Sequence, residues 1–497
     1  MPARLLENLG LSLLSTKAGN WPGHLEITGL SVDSRETGPG HLFCAMPGVN
    51  MHGAEFVSFA VRMGAAAVLT DPAGVKIVKS ELGDLPLPFL VSDDPRKALS
   101  VAAANWFGVQ PSKIVAITGT NGKTSVASFY RQILENLGEK VVNFGTTGVE
   151  GAISAPLAHT TPEPIALHGL LKKLGKKGIT HAAMEASSHG LEQRRLDGVD
   201  LCAAAFTNIT RDHMDYHESF GDYFAAKAGL FDRVLGQGKT AVINLDDPFG
   251  DTVRLIAQGR KQEVISVGGA KGCDLQILNT RFDDNGQELR FSWRDKVFST
   301  RLDLIGGFQA SNALMAAGLA IASDAEPEAI FNVLHKLQTV RGRMQLAATR
   351  KNGAKIFVDY SHTPDSLKTA LTALRPHVMG RLIVVFGAGG DRDKGKRPLM
   401  GKIASEFADL VFVTDDNPRS ENPAAIRAEV LAGCPDAIEV GDRAEAILRG
   451  VDALQPGDTL LIAGKGHETG QEIGDDILPF DDVEQASISV EALEAAL

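Results

Sequence analysis

The feature that most constrains the fold of this chain is a glycine-rich turn, Thr118-Gly-Thr-Asn-Gly-Lys-Thr124. The apolar run Ile114 to Ile117 before it is typical of a buried strand, and the segment after it carries apolar residues at helical spacing. Glycines let the backbone N–H groups of such a turn point inward, and the N-terminus of the next helix adds partial positive charge. The pattern therefore predicts a phosphate-binding loop between a strand and a helix.

The loop departs from the general spacing G-x-x-x-x-G-K-[ST]. That spacing would place the first glycine at position 117, where this chain has Ile117, whereas Gly119 lies three residues before Gly122. We still expect a nucleotide, with Lys123 on its outer phosphates and the Thr124 hydroxyl on Mg²⁺. A glycine-rich turn with an incidental lysine is the alternative. The residues expected around the phosphates are Gly119, Thr120, Asn121, Gly122, Lys123, Thr124 and Ser125.

Length and composition describe a folded protein of several domains. The 497 residues predict about three domains of ordinary size, and a hydrophobic content of 44% supplies ample core. The net charge of −11 disfavours a nucleic-acid partner. The four cysteines are scattered without a C-x-x-C pair, which fits a reducing cytoplasm. No signal peptide and no apolar run near the roughly 20 residues of a membrane span are visible, so we expect a cytoplasmic protein.

The order of the predicted elements favours an α/β fold in three domains. The first part gives strands at 25–32, 41–45, 66–69 and 88–91 and a helix at 53–63. Asp94 should cap a helix from Pro95 to Trp106 that links the first two domains. Strands and helices then alternate as in a parallel, doubly wound sheet, with a strand-rich segment at 262–305. After a hinge at 340–344 they alternate again. We expect domains at 1–92, 93–342 and 343–497.

Polar side chains follow several predicted strands of the central region. The strand 180–185 ends in Glu185, a carboxylate well placed for Mg²⁺, although a surface glutamate is the alternative. The apolar strand 201–209 runs into an ionisable cluster at 208–217, where doubly wound sheets bind their ligands. Two prolines predict an exposed loop at 159–164. On helical periodicity alone, Lys227 is expected to be a solvated helix lysine.

Seven motifs follow one another in the order found in Mur ligases. They are Thr118–Thr124, Glu185–Gly190, Asn208–Asp215, Gly306–Asn312, Gly342–Arg343, Asp359–Asp365 and Asp415–Arg419. The chain resembles this family of ATP-dependent, amide-forming enzymes over essentially its whole length. Its motifs are most similar to those of the members that add the third amino acid to UDP-N-acetylmuramoyl-L-alanyl-D-glutamate.

The resemblance implies an architecture and a setting. It implies an N-terminal domain that binds the UDP-muramoyl substrate, a central P-loop ATPase-like domain and a C-terminal Rossmann-like domain that binds the amino acid. It also implies a cytoplasmic monomer that takes small-molecule substrates, binds neither nucleic acid nor membrane, and acts in peptidoglycan synthesis, cell shape and cell division.

The resemblance further implies that ATP converts the substrate carboxylate into an acyl phosphate, which the incoming amine attacks. Because two anions meet in the first step, cations must neutralise them. Lys123, Glu185, His213 and Lys227 match the family's catalytic residues. Thr124, Glu185 and His213 match the Mg²⁺ ligands. Lys227 matches a lysine that CO₂ carboxylates, which lets it support a second Mg²⁺.

By the same resemblance, other motif residues match three binding sites. For the UDP substrate they are Val32, Ser34, His159, Thr160, Thr161, Ser187, Gln193 and Arg195. For ATP, beyond the loop, they are Asn312, Arg343, Asp359 and His362. For the amino acid they are Arg392, Asp416, Asn417, Pro418, Arg419, Gly464 and Glu468. Gln309 departs from the family, which often has Asn there, but the longer amide should still hydrogen-bond.

Arg419 predicts which amino acid is added. Relatives that use meso-diaminopimelate have arginine at this position, and a guanidinium can bind its extra carboxylate with two parallel hydrogen bonds. Lysine would instead present an ammonium to Arg419, while Glu468 suits an ammonium of the ligand. The alternatives are a lysine-adding ligase, another Mur ligase, a folylpolyglutamate-synthase-like ligase and a P-loop switch or motor. The N-terminal domain together with Asp416-Asn-Pro-Arg419 argues against another Mur ligase and a folylpolyglutamate synthase. The non-standard glycine spacing and the charged cluster in the C-terminal third argue against a switch or motor.

Overall fold

The computed structural model describes residues 2–11, 15–16, 23–48, 51–83, 85 and 87–495. These residues form an α/β fold around three sheets of five, ten and six strands, with two additional two-stranded ribbons. The α/β class expected from the sequence is confirmed. Within the described part of the chain, every helix is too short or too polar to cross a bilayer.

The N-terminal sheet is parallel apart from one edge strand. Its strands lie in the order Ser15–Thr16, Phe89–Val91, Ala67–Thr70, His41–Cys44 and Gly29–Ser31. A ribbon pairs Arg4–Leu5 with Glu26–Ile27. The α-helices are Val57–Arg62, Pro72–Leu82 and Pro95–Phe107, and the 3₁₀ turns are Leu6–Leu9, Ser34–Glu36 and Gly53–Phe56. The predicted strand 25–32 is thus two short strands, and the helix Pro72–Leu82 was not predicted.

The helix Pro95–Phe107 joins the first sheet to the second. The Asp94 carboxylate accepts a hydrogen bond from Lys97 N at 3.0 Å, as a capping residue should. Trp106 and its helical neighbours are buried in the same core as Leu42 of the first sheet. The helix also packs against Pro164–Lys176 of the central region. It therefore contributes to the first core while it contacts the next domain.

The central sheet has a parallel core with antiparallel edges. Its strands lie in the order Gly148–Gly151, Val141–Gly145, His181–Glu185, Lys113–Thr118, Ala203–Phe206, Thr240–Asn244, Glu263–Gly268, Leu275–Asp283, Gly286–Trp293 and Lys296–Leu302. The last three form the antiparallel edge. Together with Glu263–Gly268 they make up the strand-rich segment predicted at 262–305. Because parallel strands end at one edge, Thr118, Glu185 and Phe206 bring their following loops together.

Helices cover both faces of this sheet. They are Lys123–Asn136, Pro164–Lys176, Ser188–Glu192, Phe220–Gly229, Gly250–Gly259, Phe308–Ala322 and Pro327–Val333, with a π turn at Leu230–Val234 and a 3₁₀ turn at Leu334–Lys336. Side chains alternate between two cores: Val115 packs with Ile133 on one face, while Ile114 packs with Leu171 on the other. The apolar run before the phosphate loop is therefore buried on both sides, as parallel strands are.

Two local predictions for the central region are corrected. Residues 159–164 are not wholly an exposed loop, because Thr161 is buried and Pro164 begins a helix that Glu163 caps. Proline is tolerated in the first helical turn, where its missing N–H would have no partner in the helix. The predicted strand 201–209 is shorter and ends at Phe206.

The C-terminal sheet is also parallel apart from one edge. Its strands lie in the order Gln345–Thr349, Lys355–Asp359, Thr459–Ala463, Leu382–Phe386, Leu410–Val413 and Ile438–Glu439. The helices are Pro364–Leu374, Lys396–Phe407, Pro423–Leu431, Arg443–Asp452 and Asp482–Ala495, with a 3₁₀ turn at Arg375–His377. A hairpin pairs Gly470–Ile473 with Asp476–Pro479. This hairpin and the last two helices were not predicted.

Candidate active site

The loop between the strand Lys113–Thr118 and the helix Lys123–Asn136 has the backbone that its glycines predict. Gly119 has φ of 147° and Gly122 has φ of 85°. A Cβ atom at Gly119 would lie 1.9 Å from Thr207 Oγ1, so no larger residue fits there without rearrangement. The loop places the N-terminus of the helix at the carboxyl edge of the sheet, which is a favourable position for an anion.

Residues after the neighbouring strand Ala203–Phe206 brace this loop. Thr207 Oγ1 donates a hydrogen bond to Asn121 O at 2.6 Å, and Asn208 Oδ1 accepts one from Asn121 N at 2.9 Å. Asn208 O accepts another from Thr120 N at 2.8 Å. The backbone of the loop is therefore held from the side of the sheet. Neither bracing residue was assigned a role from the sequence.

Two lysines converge on one carbonyl oxygen of the loop. Lys123 Nζ donates to Gly119 O at 2.9 Å and to Thr120 O at 2.8 Å. Lys227 Nζ donates to the same Gly119 oxygen at 2.7 Å. Burial lowers the pKa of both amines, and the nearby Lys123 ammonium lowers that of Lys227 further. The site therefore favours a neutral amine at Lys227.

Lys227 is 1% exposed, so the expectation of a solvated helix lysine is wrong. The helix Phe220–Gly229 turns Tyr223 and Lys227, one turn apart, toward the phosphate loop. Tyr223 OH lies 2.9 Å from Thr120 Oγ1, and Lys227 Nζ lies 4.7 Å from the centre of the Tyr223 ring. Lys227 is buried because this helix packs against the phosphate loop. Helical periodicity alone cannot predict that packing.

Glu185 ends the strand beside the phosphate-loop strand and is 2% exposed, so it is not a surface residue. Its Oε1 accepts from Thr146 N at 2.8 Å, and its Oε2 accepts from Thr146 Oγ1 at 3.1 Å. A Cβ atom at Gly145 would lie 2.2 Å from Glu185 Oε1. The carboxylate is thus fixed at the carboxyl edge of the sheet by the segment 145–146.

His213 lies in a left-handed backbone conformation, with φ of 55°. Its ring centre lies 5.0 Å from that of His189 and 6.2 Å from that of Tyr223, and Asp212 Oδ2 lies 3.4 Å from its Nε2. Burial lowers the pKa of His213 to about 4, which leaves the imidazole neutral near pH 7. A neutral imidazole can bind a metal ion.

Arg343 reaches from the predicted hinge at 340–344 to the phosphate loop. Its Nη2 donates to Thr124 Oγ1 at 3.3 Å, and its guanidinium carbon lies 4.4 Å from the centre of the Tyr360 ring. Asp359 is buried, which raises the pKa of its carboxyl group, and its Oδ2 accepts from Met344 N at 2.7 Å. The hinge is therefore bound both to the phosphate loop and to the C-terminal sheet.

The segment before the hinge is also tied to the helix of the phosphate loop. Gln132 Oε1 accepts from Gln338 N at 2.7 Å, and Gln132 Nε2 donates to Gln338 O at 3.1 Å. Asn312 contacts the loop from a different helix, because a Cβ atom at Gly122 would lie 2.8 Å from Asn312 Oδ1. Gln309 Oε1 accepts from Asn312 Nδ2 at 3.1 Å, so the longer amide at this position does hydrogen-bond.

A cleft of about 460 Å³ opens between the central and C-terminal sheets. Its lining includes Asp212 and His213, from the segment that follows the central strand Ala203–Phe206. Six of the seven residues predicted for the amino acid line it, namely Arg392, Asp416, Asn417, Arg419, Gly464 and Glu468. His362 lines it too; its Nδ1 lies 2.8 Å from Tyr360 O, and burial lowers the pKa of its ring. The structure therefore brings these six residues to the C-terminal wall of the cleft that His213 also lines, whereas Pro418 is not among the lining residues.

A buried lysine that was not predicted as a site residue lies beside this wall. Lys465 is fully buried, and its Nζ donates to Asn417 Oδ1 at 2.7 Å and to Glu468 Oε2 at 3.1 Å. Asn417 Nδ2 donates to the same Glu468 oxygen at 2.9 Å. Burial raises the pKa of Glu468 in spite of the neighbouring ammonium. The glycines that flank Lys465 were the signal that could have drawn attention to it.

Comparisons with known proteins agree with this geometry. Residues 26–106 match the profile "Mur ligase family, catalytic domain", residues 117–320 match "Mur ligase middle domain", and residues 342–466 match "Mur ligase, glutamate ligase domain". The chain is 48% identical over 475 residues to the UDP-N-acetylmuramoyl-L-alanyl-D-glutamate–2,6-diaminopimelate ligase of Agrobacterium fabrum, covering 95% of each. The chain belongs to the Mur ligase family. The ligase of the same name from Caulobacter vibrioides is 45% identical over 476 residues, covering 94% of this Mur ligase and 96% of the relative.

Solved structures also resemble this Mur ligase. A structure of a UDP-N-acetylmuramoyl-L-alanyl-D-glutamate–2,6-diaminopimelate ligase gives a TM-score of 0.71 at 32% identity, covering 99% of this chain and 100% of that one. A folylpolyglutamate synthase of Mycobacterium tuberculosis gives a TM-score of 0.62 at 18% identity, and the match covers 80% of this chain and 95% of that one. The second likeness shows the shared fold alone. The expected family is confirmed.

The residues predicted for the UDP substrate lie in two regions of this Mur ligase. Val32 and Ser34 follow the strand Gly29–Ser31 of the N-terminal sheet; Val32 is 38% exposed and Ser34 is buried. The rest lie in the central region, where His159 is exposed and Ser187 caps a short helix by accepting from Gly190 N at 3.1 Å.

The central group of these residues is connected by hydrogen bonds. Thr160 Oγ1 lies 3.3 Å from Thr146 Oγ1, and Thr161 Oγ1 donates to Glu185 O at 2.8 Å. Arg195 Nη1 donates to Thr161 O at 2.6 Å, and Arg195 Nη2 donates to Gln193 Oε1 at 2.8 Å. Gln193 and Arg195 thus face each other although they are two residues apart, because Arg194 between them has φ of 59°. Together these residues connect to the Glu185 strand end.

Proposed function

We propose that this Mur ligase uses ATP to add meso-diaminopimelate to UDP-N-acetylmuramoyl-L-alanyl-D-glutamate in the synthesis of peptidoglycan precursors. The observation that carries the proposal is the single cleft that Arg419 and Glu468 share with His213. Arg419 suits a distal carboxylate and Glu468 suits an ammonium group, which are the two groups that the far end of meso-diaminopimelate carries. The relatives named above support the same substrates.

The proposed reaction has two steps. A carboxylate oxygen of the dipeptide substrate attacks the γ-phosphorus of ATP, the bond to the bridging oxygen breaks, and ADP leaves. The amine of diaminopimelate then attacks the carbonyl carbon of the acyl phosphate, and phosphate leaves from the tetrahedral intermediate. Lys123 Nζ would give up its hydrogen bonds to Gly119 O and Thr120 O and donate to phosphate oxygens instead. Arg343, which contacts Thr124, would add a second positive charge beside the phosphates.

We propose that Mg²⁺ binds with the nucleotide at Thr124, Glu185 and His213. The described residues contain no cluster of three His, Cys, Asp or Glu side chains that could hold a metal. Mg²⁺ usually takes one or two protein carboxylates together with substrate phosphates and waters, so this small donor set suits it. When bound, the ion would neutralise phosphate charge, while Thr146 keeps the Glu185 carboxylate fixed.

We propose that Lys227 is carboxylated by CO₂. Carboxylation requires a neutral amine, because only its lone pair can attack CO₂, and an ammonium has none. Burial and the nearby Lys123 ammonium lower the pKa of Lys227 and so favour that neutral form. As the N–C bond forms, one C–O π bond of CO₂ opens and the nitrogen loses a proton to solvent. The resulting carbamate anion beside Lys123 would support a second Mg²⁺.

The predicted site residues keep their proposed roles. ATP would contact the loop Gly119–Ser125 together with Asn312, Arg343, Asp359 and His362. The UDP substrate would contact Val32, Ser34, His159, Thr160, Thr161, Ser187, Gln193 and Arg195. The amino acid would contact Arg392, Asp416, Asn417, Pro418, Arg419, Gly464 and Glu468. We assign these sites to domains 1–92, 93–342 and 343–497 of a cytoplasmic monomer.

The proposal is tested by phosphate release from ATP with the UDP-dipeptide present and meso-diaminopimelate or L-lysine added in turn. We expect release with meso-diaminopimelate only, and a product whose mass is that of the tripeptide. Phosphate release with lysine instead would still support an amino-acid ligase, but it would contradict the role proposed for Arg419. Release that needs neither amino acid would favour a nucleotide-driven switch.

A further inference from the structure

Arg419 has an ionic partner outside the cleft. Glu472, on the hairpin strand Gly470–Ile473, places its Oε2 atom 2.6 Å from Arg419 Nε. The side chains are 42% and 24% exposed, respectively. Among the described residues, Arg419 lines the cleft and Glu472 does not. The carboxylate therefore meets the guanidinium on the side away from the ligand.

Within the described part of the chain, the contacts of Arg419 leave one side of its guanidinium free for a ligand. A guanidinium has five N–H donors, one on Nε and two on each terminal nitrogen. Glu472 faces Nε, and Gly390 O accepts from Nη1 at 2.9 Å. Nη2 and the second hydrogen of Nη1 remain. Two terminal nitrogens side by side form the fork that binds a carboxylate through two parallel hydrogen bonds.

The backbone of the hairpin fixes this arrangement. Glu472 O accepts from Arg419 N at 3.1 Å, and Arg419 O accepts from Gly474 N at 2.8 Å. Glu472 N donates to Asn417 Oδ1 at 3.1 Å, and Gln471 Nε2 donates to Asp416 O at 2.6 Å. These bonds hold Arg419 at its φ of 52°, a conformation that non-glycine residues seldom adopt. The hairpin and the loop Asp416–Arg419 therefore form one unit.

We propose that Glu472 is a positioning residue for amino-acid selection. It holds the Nε edge of Arg419 so that the terminal nitrogens face the distal carboxylate of the incoming amino acid. This inference rests on the proposed function. It adds Glu472 to Arg419 as a second residue that determines which amino acid is used. Exposed ion pairs contribute little to stability, so the effect of Glu472 should appear in binding rather than in folding.

The test compares full-length wild type with Glu472→Ala and Glu472→Gln. Asp476→Asn is the matched control, because it removes an exposed carboxylate from the same hairpin. We expect Glu472→Ala to raise the KM for meso-diaminopimelate about tenfold, the order expected when an ionic partner of a binding group is lost. Its kcat at saturation, KM for ATP and Tm should match those of the control. Glu472→Gln, which keeps the size of the side chain beside Nε but removes its charge, should give a KM between those of wild type and Glu472→Ala.

A double-variant comparison shows whether Glu472 acts through Arg419. If it does, Arg419→Ala with Glu472→Ala should be no worse in kcat/KM for meso-diaminopimelate than Arg419→Ala alone. Additive losses would overturn the inference. So would an unchanged or lowered KM in Glu472→Ala, since a lowered value would mean that Glu472 competes with the ligand. Failure of the wild type to use meso-diaminopimelate would instead contradict the proposed function, before any variant is compared.

Discussion

The Arg443 guanidinium and the Asp482 carboxylate form an ion pair at 2.8 Å, and both side chains are fully buried. Arg443 begins the helix Arg443–Asp452, and Asp482 begins the last helix. Arg443 also donates to Asp415 O at 3.3 Å and to Ala463 O at 3.0 Å. These carbonyls immediately precede the loops that carry Arg419 and Glu468. One buried guanidinium therefore holds both loops that form the amino-acid end of the cleft.

Breaking this pair should destabilise the protein strongly. We expect Asp482→Asn to lower the free energy of unfolding by about 3–5 kcal/mol, because an uncompensated charge remains buried. Urea unfolding measures the loss. Glu445→Gln in the exposed pair with Arg449 is the control and should cost under about 1 kcal/mol. Equal small losses in both variants would contradict the structural role of Arg443.

Removal of the Lys123 ammonium should abolish product formation. In Lys123→Ala the γ-phosphate loses a cation that sits within the loop, and we expect kcat to fall by at least about 100-fold. Lys402→Ala removes an exposed lysine and should keep wild-type turnover. Phosphate release with all substrates present measures both. Near-normal turnover of Lys123→Ala would refute the assignment of the phosphate loop.

Loss of the Arg419 side chain should affect one substrate selectively. In Arg419→Ala we expect kcat/KM for meso-diaminopimelate to fall by about 100-fold, as a charge-assisted bidentate contact disappears. The KM for ATP should change little, because the nucleotide loop lies on the central sheet. Arg449→Ala, on an exposed helix face, serves as the control. Equal losses of kcat/KM for meso-diaminopimelate and for ATP would contradict a role of Arg419 in selecting the amino acid.

The proposed carboxylation of Lys227 makes a test by chemical rescue possible. Lys227→Ala should be inactive, because the anion formed on the lysine is lost. Acetate or formate should restore part of the activity by placing a carboxylate in the space of the missing side chain. Lys227→Ala without added acid is the baseline, and chloride at equal ionic strength is the control. Rescue that chloride reproduces would indicate that no carboxylate is needed.

His168 should make stability fall on acidification. It is buried in the central domain, its Nε2 has no hydrogen-bond partner among the described residues, and burial lowers its pKa to about 4. The unfolded chain binds a proton near pH 6.5 and the folded chain does not, so stability is full above that pH and declines toward pH 4. We expect a loss of about 2 kcal/mol from this group between pH 7 and pH 5.

Urea unfolding of wild type and His168→Gln at both pH values isolates this contribution. The variant cannot titrate at this position, so its stability should depend less on pH by the amount that His168 contributes. An identical pH dependence in the two proteins would show that His168 is protonated in the folded state or is accessible to water.

The sequence reveals the parts of this fold that depend on local pattern. The strand before the phosphate loop, the helix after it and the Asp94 cap follow from periodicity and capping, which involve neighbouring residues. Glu185 and the cluster at 208–217 were predicted to lie where the sheet binds ligands, because each follows a buried strand. The metal-binding role of His213 came from the family resemblance. The motif order also indicated the wall that carries Arg419 and Glu468.

What the sequence could not reveal depends on contacts between distant residues. Arg443 and Asp482 are 39 residues apart, and each resembles an ordinary helix-start residue until the fold buries them together. The sequence around Lys227 predicts a solvent-exposed side chain, because the loop that buries it lies more than 100 residues earlier in the chain. The hairpin Gly470–Pro479 lacks a clear apolar alternation and is stabilised through bonds to Asn417 and Arg419.

The bond from Arg343 to Thr124 links events at the two ends of the cleft. A nucleotide that binds the phosphate loop changes the surroundings of Thr124. It therefore also changes the free energy of the domain arrangement in which Arg343 contacts Thr124. If that arrangement also sets the position of the wall around Arg419, ATP and the amino acid must change each other's affinity by the same factor, because coupling between two sites is reciprocal. Cooperativity between substrates would then be a thermodynamic property of one hinge arginine.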